Sequence, residues 1–209
     1  SSNKKFKFNC DICNHDFEIR LTLATGTRQS WCPYCSRPSK ILCDKKECNH
    51  CYNKSFASFQ GKTVSGKLKV DCWHKDNKLK PNQVFKSSRK KIKFNCDICN
   101  HDFVSNLGNV SVKKAWCPFC NSKALCDKND KGKKDCHHCY NNSVASFQDK
   151  TSNGKLKVDC WHKDNTLKPN QVFKSSHKII KFNCDICNHD FDFKLYYVSL
   201  KKAWCPCCK

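Results

Sequence analysis

One decapeptide constrains this chain more than anything else in it. Phe-Asn-Cys-Asp-Ile-Cys-Asn-His-Asp-Phe occurs three times, starting at Phe8, Phe94 and Phe182, and each copy is followed by Trp-Cys-Pro-x-Cys. The cysteines are Cys10, Cys13, Cys32 and Cys35, then Cys96, Cys99, Cys117 and Cys120, then Cys184, Cys187, Cys205 and Cys208. Paired C-x2-C turns separated by 17 or 18 residues are the spacing of a tetrahedral four-cysteine zinc site, because two thiolates three positions apart in a tight turn can face one ion. A second set lies between the copies: Cys43, Cys48, Cys51 and Cys72, repeated as Cys126, Cys136, Cys139 and Cys160. Five groups of four take all but one of the 21 cysteines and leave Cys207 over. The expectation is five zinc ions per chain.

Disulfides are the competing reading of a chain this rich in cysteine. Knuckle spacing favours metal, and metal-bound thiolates imply a reducing intracellular compartment, cytoplasm or nucleus, or a packaged virion protein. Composition agrees. Only 38% of the 209 residues are hydrophobic even with cysteine counted, and mean hydropathy is -0.76. Modules of about 40 residues bury too little apolar surface to offset chain entropy, so a structural metal supplies the missing stability. The fold class expected is a tandem array of small, metal-stabilised, β-rich modules: four-cysteine zinc ribbons or knuckles with short helices.

Internal repetition fixes the organisation. Residues 70–103 and 158–191 align without a gap and differ at three of 34 positions, Lys78/Thr166, Arg89/His177 and Lys91/Ile179. The divisions expected are ribbons at 1–38, 76–122 and 164–209, alternating with second-type modules at 39–75 and 123–163. Ser1 to Phe8 lines up with Ser87 to Phe94, so the sequence starts inside a repeat, and a segment of a longer array is the expectation. In each ribbon the alternating run before the first cysteine reads as a strand, the C-x2-C as a turn, and His-Asp-Phe as the returning strand. In the second-type module, Ser55–Phe59 and Ser143–Phe147 read as short helices with a serine N-cap. Val70–Trp73 reads as a strand delivering Cys72.

With Asn77, Pro81, Val84, Ser88, Phe94, Cys96, Cys99, His101, Phe103 and Trp116 to Cys120 in place, the chain resembles the probable zinc-ribbon (treble-clef-like) repeat family of bacteria and large eukaryotic DNA viruses. The resemblance covers the first-type modules well and the second-type modules loosely. It implies zinc and a small β-rich fold, with nuclease-associated and DNA-binding contexts. The chain departs from the pattern by alternating ribbons with a second cysteine unit and by carrying no nuclease domain.

The Asp-x-x-x-His-Asp of each ribbon (Asp97, His101, Asp102 and its copies) invites a nuclease reading. Four thiolates close a zinc ion's coordination sphere, and the triplet recurs without pocket-forming sequence, so a non-catalytic knuckle is expected. His50/His138 and His74/His162 lie within two residues of a cysteine and are alternatives to one cysteine of their sites.

Charge speaks to partners. Formal net charge is +22, and five four-thiolate zinc centres at −2 each would leave about +12. Nucleic acid bound through backbone phosphates, or another acidic surface, is the natural partner; no membrane and no small-molecule substrate are expected. Only four of the 40 basic residues are arginine, which favours phosphate contact over base readout and hence little sequence preference. Candidate phosphate contacts are Lys86, Arg89, Lys90 and Lys93, with Lys174, Lys178 and Lys181 in the next copy. Trp31, Trp116 and Trp204 are more simply caps on small cores than base-stacking platforms. The alternative function is an architectural protein–protein scaffold, such as a structural component of a large DNA virus particle.

Overall fold

In a computed structural model, residues 4–24, 31–43, 45, 47–126 and 136–208 are described. Each decapeptide folds as expected: β1 (Lys5–Asn9) pairs with β2 (Asp16–Arg20), β3 (Lys91–Asn95) with β4 (Asp102–Asn106), and β5 (Ile179–Asn183) with β6 (Asp190–Lys194), all antiparallel. The registers are equivalent, Asn9↔Asp16, Asn95↔Asp102 and Asn183↔Asp190 closing the turn end. Period-two alternation explains the faces: Ile92 and Phe94 are buried while Lys91 and Lys93 point the other way. The knuckle turn needs a left-handed residue just after its second cysteine. Asn14, Asn100 and Asn188 supply it at φ 51°, 53° and 57°, a conformation asparagine tolerates better than most residues. Short helices follow the hairpins: α1 (Leu21–Ala24), α3 (Leu107–Ser111) and α5 (Leu195–Ser199). Asn106 caps α3 by accepting from the Asn109 N–H at 2.7 Å. Two further helices, α2 (Asn49–Tyr52) and α4 (His137–Asn142), carry the second-type cysteines.

The second-type segments differ from the expectation. Ser55–Phe59 and Ser143–Phe147 are 3₁₀ turns, Phe56–Ser58 and Val144–Ser146, and neither serine caps its turn; each hydroxyl instead donates back to a tyrosine carbonyl, Tyr52 or Tyr140, at 2.8 Å. Val70–Trp73 is not a strand. Lys69–Cys72 is a 3₁₀ turn, because the Asp71 and Trp73 N–H groups bond back to the Leu68 and Val70 carbonyls.

The chain divides into two units, Ser1–Trp116 and Cys117–Lys209. In the first, packing runs across the division expected at 75/76: the fully buried Phe56 contacts Trp73 and Phe94 at 5.6 and 6.0 Å, and Trp73 meets Phe94 edge-on at 5.7 Å. The Phe56 N–H donates to the Val84 carbonyl and Ser55 bridges Phe85, so the connector is held in place. In the second unit, Val144 and Val172 pack with Ile180, Phe182, Leu195 and Val198 in one core, and Trp161 and Trp204 flank it. The second and third hairpins thus borrow apolar cover from the segment before them, whereas the first packs Phe8, Phe17 and Trp31 of its own ribbon around its cysteines. Burying one such phenylalanine contributes roughly 1.5–3 kcal/mol, far less than the ~10–16 kcal/mol of a structural zinc.

Candidate metal centres

The ribbon cysteines converge as their spacing requires. Cys10 and Cys35 Sγ are 3.5 Å apart, as are Cys13 and Cys32; in the third ribbon Cys184–Cys208 and Cys187–Cys205 are 3.6 Å apart. Disulfide sulfurs would lie at about 2.05 Å, whereas thiolates around a tetrahedral zinc with ~2.3 Å bonds lie about 3.8 Å from one another. All the cysteines are unbridged. Left to themselves, four converging thiols cannot all ionise. Burial opposes charge on Cys10, but the Cys13 and Ile12 N–H groups outweigh it and bring the thiol down to about 7. Burial and its neighbours push Cys35 up to about 11. A divalent cation resolves that conflict, and the all-sulfur donor set selects a soft tetrahedral ion such as zinc.

The tryptophans complete these sites as core caps. Trp31 lies edge-on to Phe8 and Phe17 at 5.0 and 5.2 Å, Trp116 to Phe94 and Phe103 at 5.5 and 5.1 Å, and Trp204 to Phe182 and Phe191 at 5.4 and 5.2 Å. Two nearly buried lysines close over the last two rings: Lys69 Nζ is 5.2 Å from the Trp116 ring and Lys157 Nζ 5.5 Å from Trp204.

The second-type centres differ from the cysteine count. Their ligand groups are His15 with Cys43, Cys48 and Cys51, and His101 with Cys126, Cys136 and Cys139, every ligand atom lying within 4.8 Å of the others. His15 Nε2 stands 3.3 Å from Cys48 Sγ and 3.5 Å from Cys51 Sγ. Burial holds its ring below the ordinary histidine range, and so neutral, as a ligand must be. The Cys51 N–H points at Cys48 Sγ at 3.5 Å and the Cys43 N–H at Cys51 Sγ at 3.4 Å; Cys139 and Cys126 repeat this at 3.4 and 3.3 Å. The fourth ligand therefore comes from the preceding hairpin rather than from Cys72 or Cys160.

Cys72 and Cys160 are a correction to the sequence-based ligand set. Both are buried, and Cys72 Sγ points at the Leu68 carbonyl at 3.8 Å, beside the Asp97 N–H. Burial pushes the Cys72 thiol up to about 11, keeping it a thiol. The alternative histidines are committed elsewhere. His50 Nε2 meets the Tyr34 carbonyl at 3.2 Å and His138 Nε2 the Phe119 carbonyl at 3.3 Å. His74 bridges Asp76 and Asp102 at 3.3 and 3.2 Å, and His162 bridges Asp164 and Asp190 at 3.4 and 3.2 Å. The one sequence signal for His15 and His101 is that every decapeptide carries a histidine at that position.

The Asp-His-Asp triplet does not converge on a common point. Asp97 accepts from Thr63 and Ser65, Asp102 meets Asn95, His74 and Lys93, and His101 joins a cysteine group. Of the basic candidates, Lys93 is bound to Asp76 and Asp102 at 3.1 and 3.2 Å, and Lys181 to Asp164 and Asp190 at 3.6 and 3.5 Å. Both therefore stand beside two carboxylates each. Arg89, Lys90 and Lys178 are exposed, while Lys86 and Lys174 are half-buried.

This geometry of hairpin, double knuckle and short helix agrees with comparison to known proteins. A family model described as a probable treble clef zinc finger domain matches residues 70–123. The likeness to this family is therefore shown for that segment of the chain. It begins at Val70, within the 3₁₀ turn that packs on the hairpin, so the treble clef includes the segment that covers its core. Uncharacterized protein R635 of Acanthamoeba polyphaga mimivirus is 31% identical over 205 residues, 95% of this chain and 44% of the relative. The chain therefore spans less than half of that viral protein's length. No helix among the described residues is long and apolar enough to cross a membrane.

Proposed function

We propose that the chain is a non-catalytic array of treble clefs, joined through their zinc centres, that binds nucleic acid through backbone phosphates in a reducing intracellular compartment or a virion. Charge supports this reading. Three four-thiolate centres at −2 and two three-thiolate centres at −1 bring the formal +22 to about +14. One local feature carries the reading furthest: Arg89, Lys90 and Lys91 are consecutive, exposed and without an ion pair among the described residues. Their strap is anchored rather than loose. Ser88 Oγ accepts from the Lys90 N–H at 3.1 Å, and the Ser88 and Lys90 carbonyls accept from Gly108 and Leu107 of α3. A fixed strap with three unneutralised charges suits phosphate contact, which is indifferent to base sequence. The later copy is weaker, with His177 stacked on Tyr196 at 4.9 Å and Ile179 in place of a lysine.

Binding of a labelled DNA duplex to the zinc-loaded chain across a salt series tests this. Replacing Arg89, Lys90 and Lys91 with alanine should weaken binding uniformly across sequences and flatten the log K against log salt slope by up to roughly 2.7, near 0.9 per lost contact. Absence of binding to DNA or RNA at low salt would overturn the reading. It would favour instead the scaffold, for which Val64 and Val112, 95% and 69% exposed, offer apolar contacts.

A further inference from the structure

The second unit holds a cavity of about 400 Å³ between residues 123–126, which follow the second ribbon's knuckle, and the connector at 167–178. Of its lining only Cys126 belongs to a metal centre. Clefts that take small ligands run from roughly 300 to 1,000 Å³, so the space suits one nucleotide unit rather than a duplex or a folded partner. Leu125, Leu167 and the partly buried Phe173 give it apolar surface, and Gln171 adds a side-chain amide. Lys123 and Lys178 also line it; both are exposed and neither is in an ion pair among the described residues. No carboxylate is among the described lining residues, so the charge in the cavity is positive and unopposed.

The lining is held in place before any ligand arrives. The Leu167 carbonyl accepts from Trp161 Nε1 at 2.9 Å, and Gln171 Oε1 accepts from the Lys168 N–H at 2.9 Å. The Phe173 carbonyl accepts from the Ser176 N–H at 3.0 Å, and Ser176 Oγ accepts from the Lys178 N–H at 3.2 Å. Those bonds leave the Gln171 NH2 and the Ser176 hydroxyl hydrogen as donors. A preformed cavity loses little ordering entropy when it is filled.

We infer that this cavity receives one base of a single-stranded nucleic acid, stacked on Phe173, with the adjoining phosphates on Lys123 and Lys178. The inference rests on the phosphate-binding reading above and adds the strand form that is preferred. A base brings a flat face for the ring and a polar edge for Gln171 and Ser176, and it arrives joined to the anions that the lysines attract. An inorganic anion would leave the apolar lining wet, and a purely apolar ligand would leave both lysines unused. In a duplex the same base is paired and stacked, and must be extruded first, so single strands are favoured.

The test titrates the zinc-loaded full chain with a labelled oligothymidylate and with a duplex of equal length. The single strand should bind more tightly. Phe173→Ala should weaken its binding roughly 5- to 150-fold, the loss of one stacked base, with the salt slope unchanged and duplex binding hardly altered. Joint replacement of Lys123 and Lys178 with alanine should instead flatten the single-strand slope by up to about 1.4, near 0.7 per lost contact. Because the Phe173 ring is partly buried, the unaltered chain supplies a second readout: an oligonucleotide carrying iodouracil should photo-crosslink to the segment that contains Phe173. Crosslinks confined to other segments, or single-strand binding by Phe173→Ala as tight as that of the native chain, would overturn the inference while duplex binding leaves the phosphate reading standing. Absence of binding to any nucleic acid would overturn both.

Discussion

Replacing His15 and replacing Cys72 should have opposite consequences. His15→Ala removes one ligand of a Cys3His centre. A structural zinc is worth about 10–16 kcal/mol over four ligands, so an even division gives about 2.5–4 kcal/mol, or two to three decades in zinc affinity at that one centre. Cys72→Ala removes a buried thiol, 3% exposed, that packs beside the Cys96 knuckle and binds no metal in this arrangement. Its cost is a small cavity and a weak hydrogen bond, on the order of 1–2 kcal/mol of local stability, with zinc content unchanged. The assay is elemental zinc content after equilibration with chelators of graded strength, under reducing conditions. The native chain and Cys72→Ala should each retain five ions at a chelator strength where His15→Ala retains four. Loss of one zinc from Cys72→Ala, with five kept by His15→Ala, would refute the shared-histidine centre and restore the four-cysteine set.

Thiol reactivity offers a second check. The five groups use 18 cysteines, and of Cys72, Cys160 and Cys207 only Cys207 is exposed, so a maleimide should label the zinc-loaded chain once, quickly, and not at all in Cys207→Tyr, which should keep five zinc ions. Zinc loading at constant pH should release protons from 18 cysteines rather than 20, measurable by calorimetry in buffers of different ionisation enthalpy. On acidification, Asp76, held low by the Lys93 ammonium, and Asp102, held low by Asn95 and then Lys93, contribute stability above the unfolded carboxylate pKa of about 4, lost only as pH falls through their lower folded values. Thiolate ligands protonate at higher pH, so loss of secondary structure should coincide with zinc release and should barely move in Asp102→Asn; a transition that tracks the carboxylate instead would contradict this.

The division between what was readable and what was not has a physical basis. Four cysteines within one ribbon are a local pattern, and their C-x2-C turns fix both the hairpin and the centre, so Cys10 through Cys35 and its two copies were legible from spacing alone. The second centre is non-local in a way that spacing does not encode, since His15 reaches cysteines 28 to 36 residues onward. Counting cysteines in fours led to Cys72, which the chain instead spends inside the next treble clef, where its segment turns as a 3₁₀ helix and covers Phe94. The lysines divided likewise. Lys93 and Arg89 look alike in sequence, but Lys93 lies on a strand facing Asp76 and Asp102, and Arg89 lies on a strap with no ion pair among the described residues.

A ligand borrowed from the preceding hairpin changes what the metal does. Within a ribbon, zinc replaces a core that 40 residues cannot build, and its effect stays inside that ribbon. In the His15 centre, zinc joins the first hairpin to the helix that leads into the following treble clef, so metal loading and the geometry between consecutive elements become one equilibrium. Lys54 reinforces the joint, donating to Tyr34 on one side and to Ser39 at 2.6 Å on the other. A chain with its ribbons loaded and its His15 centre stripped would keep its first hairpin and lose the joint between that hairpin and the Cys48–Cys51 segment. A flexible array pays more ordering entropy on binding a long polyanion than a rigid one does. Selective loss of the Cys3His centres should therefore weaken phosphate-backbone binding while leaving its salt slope unchanged, since the number of contacts stays the same.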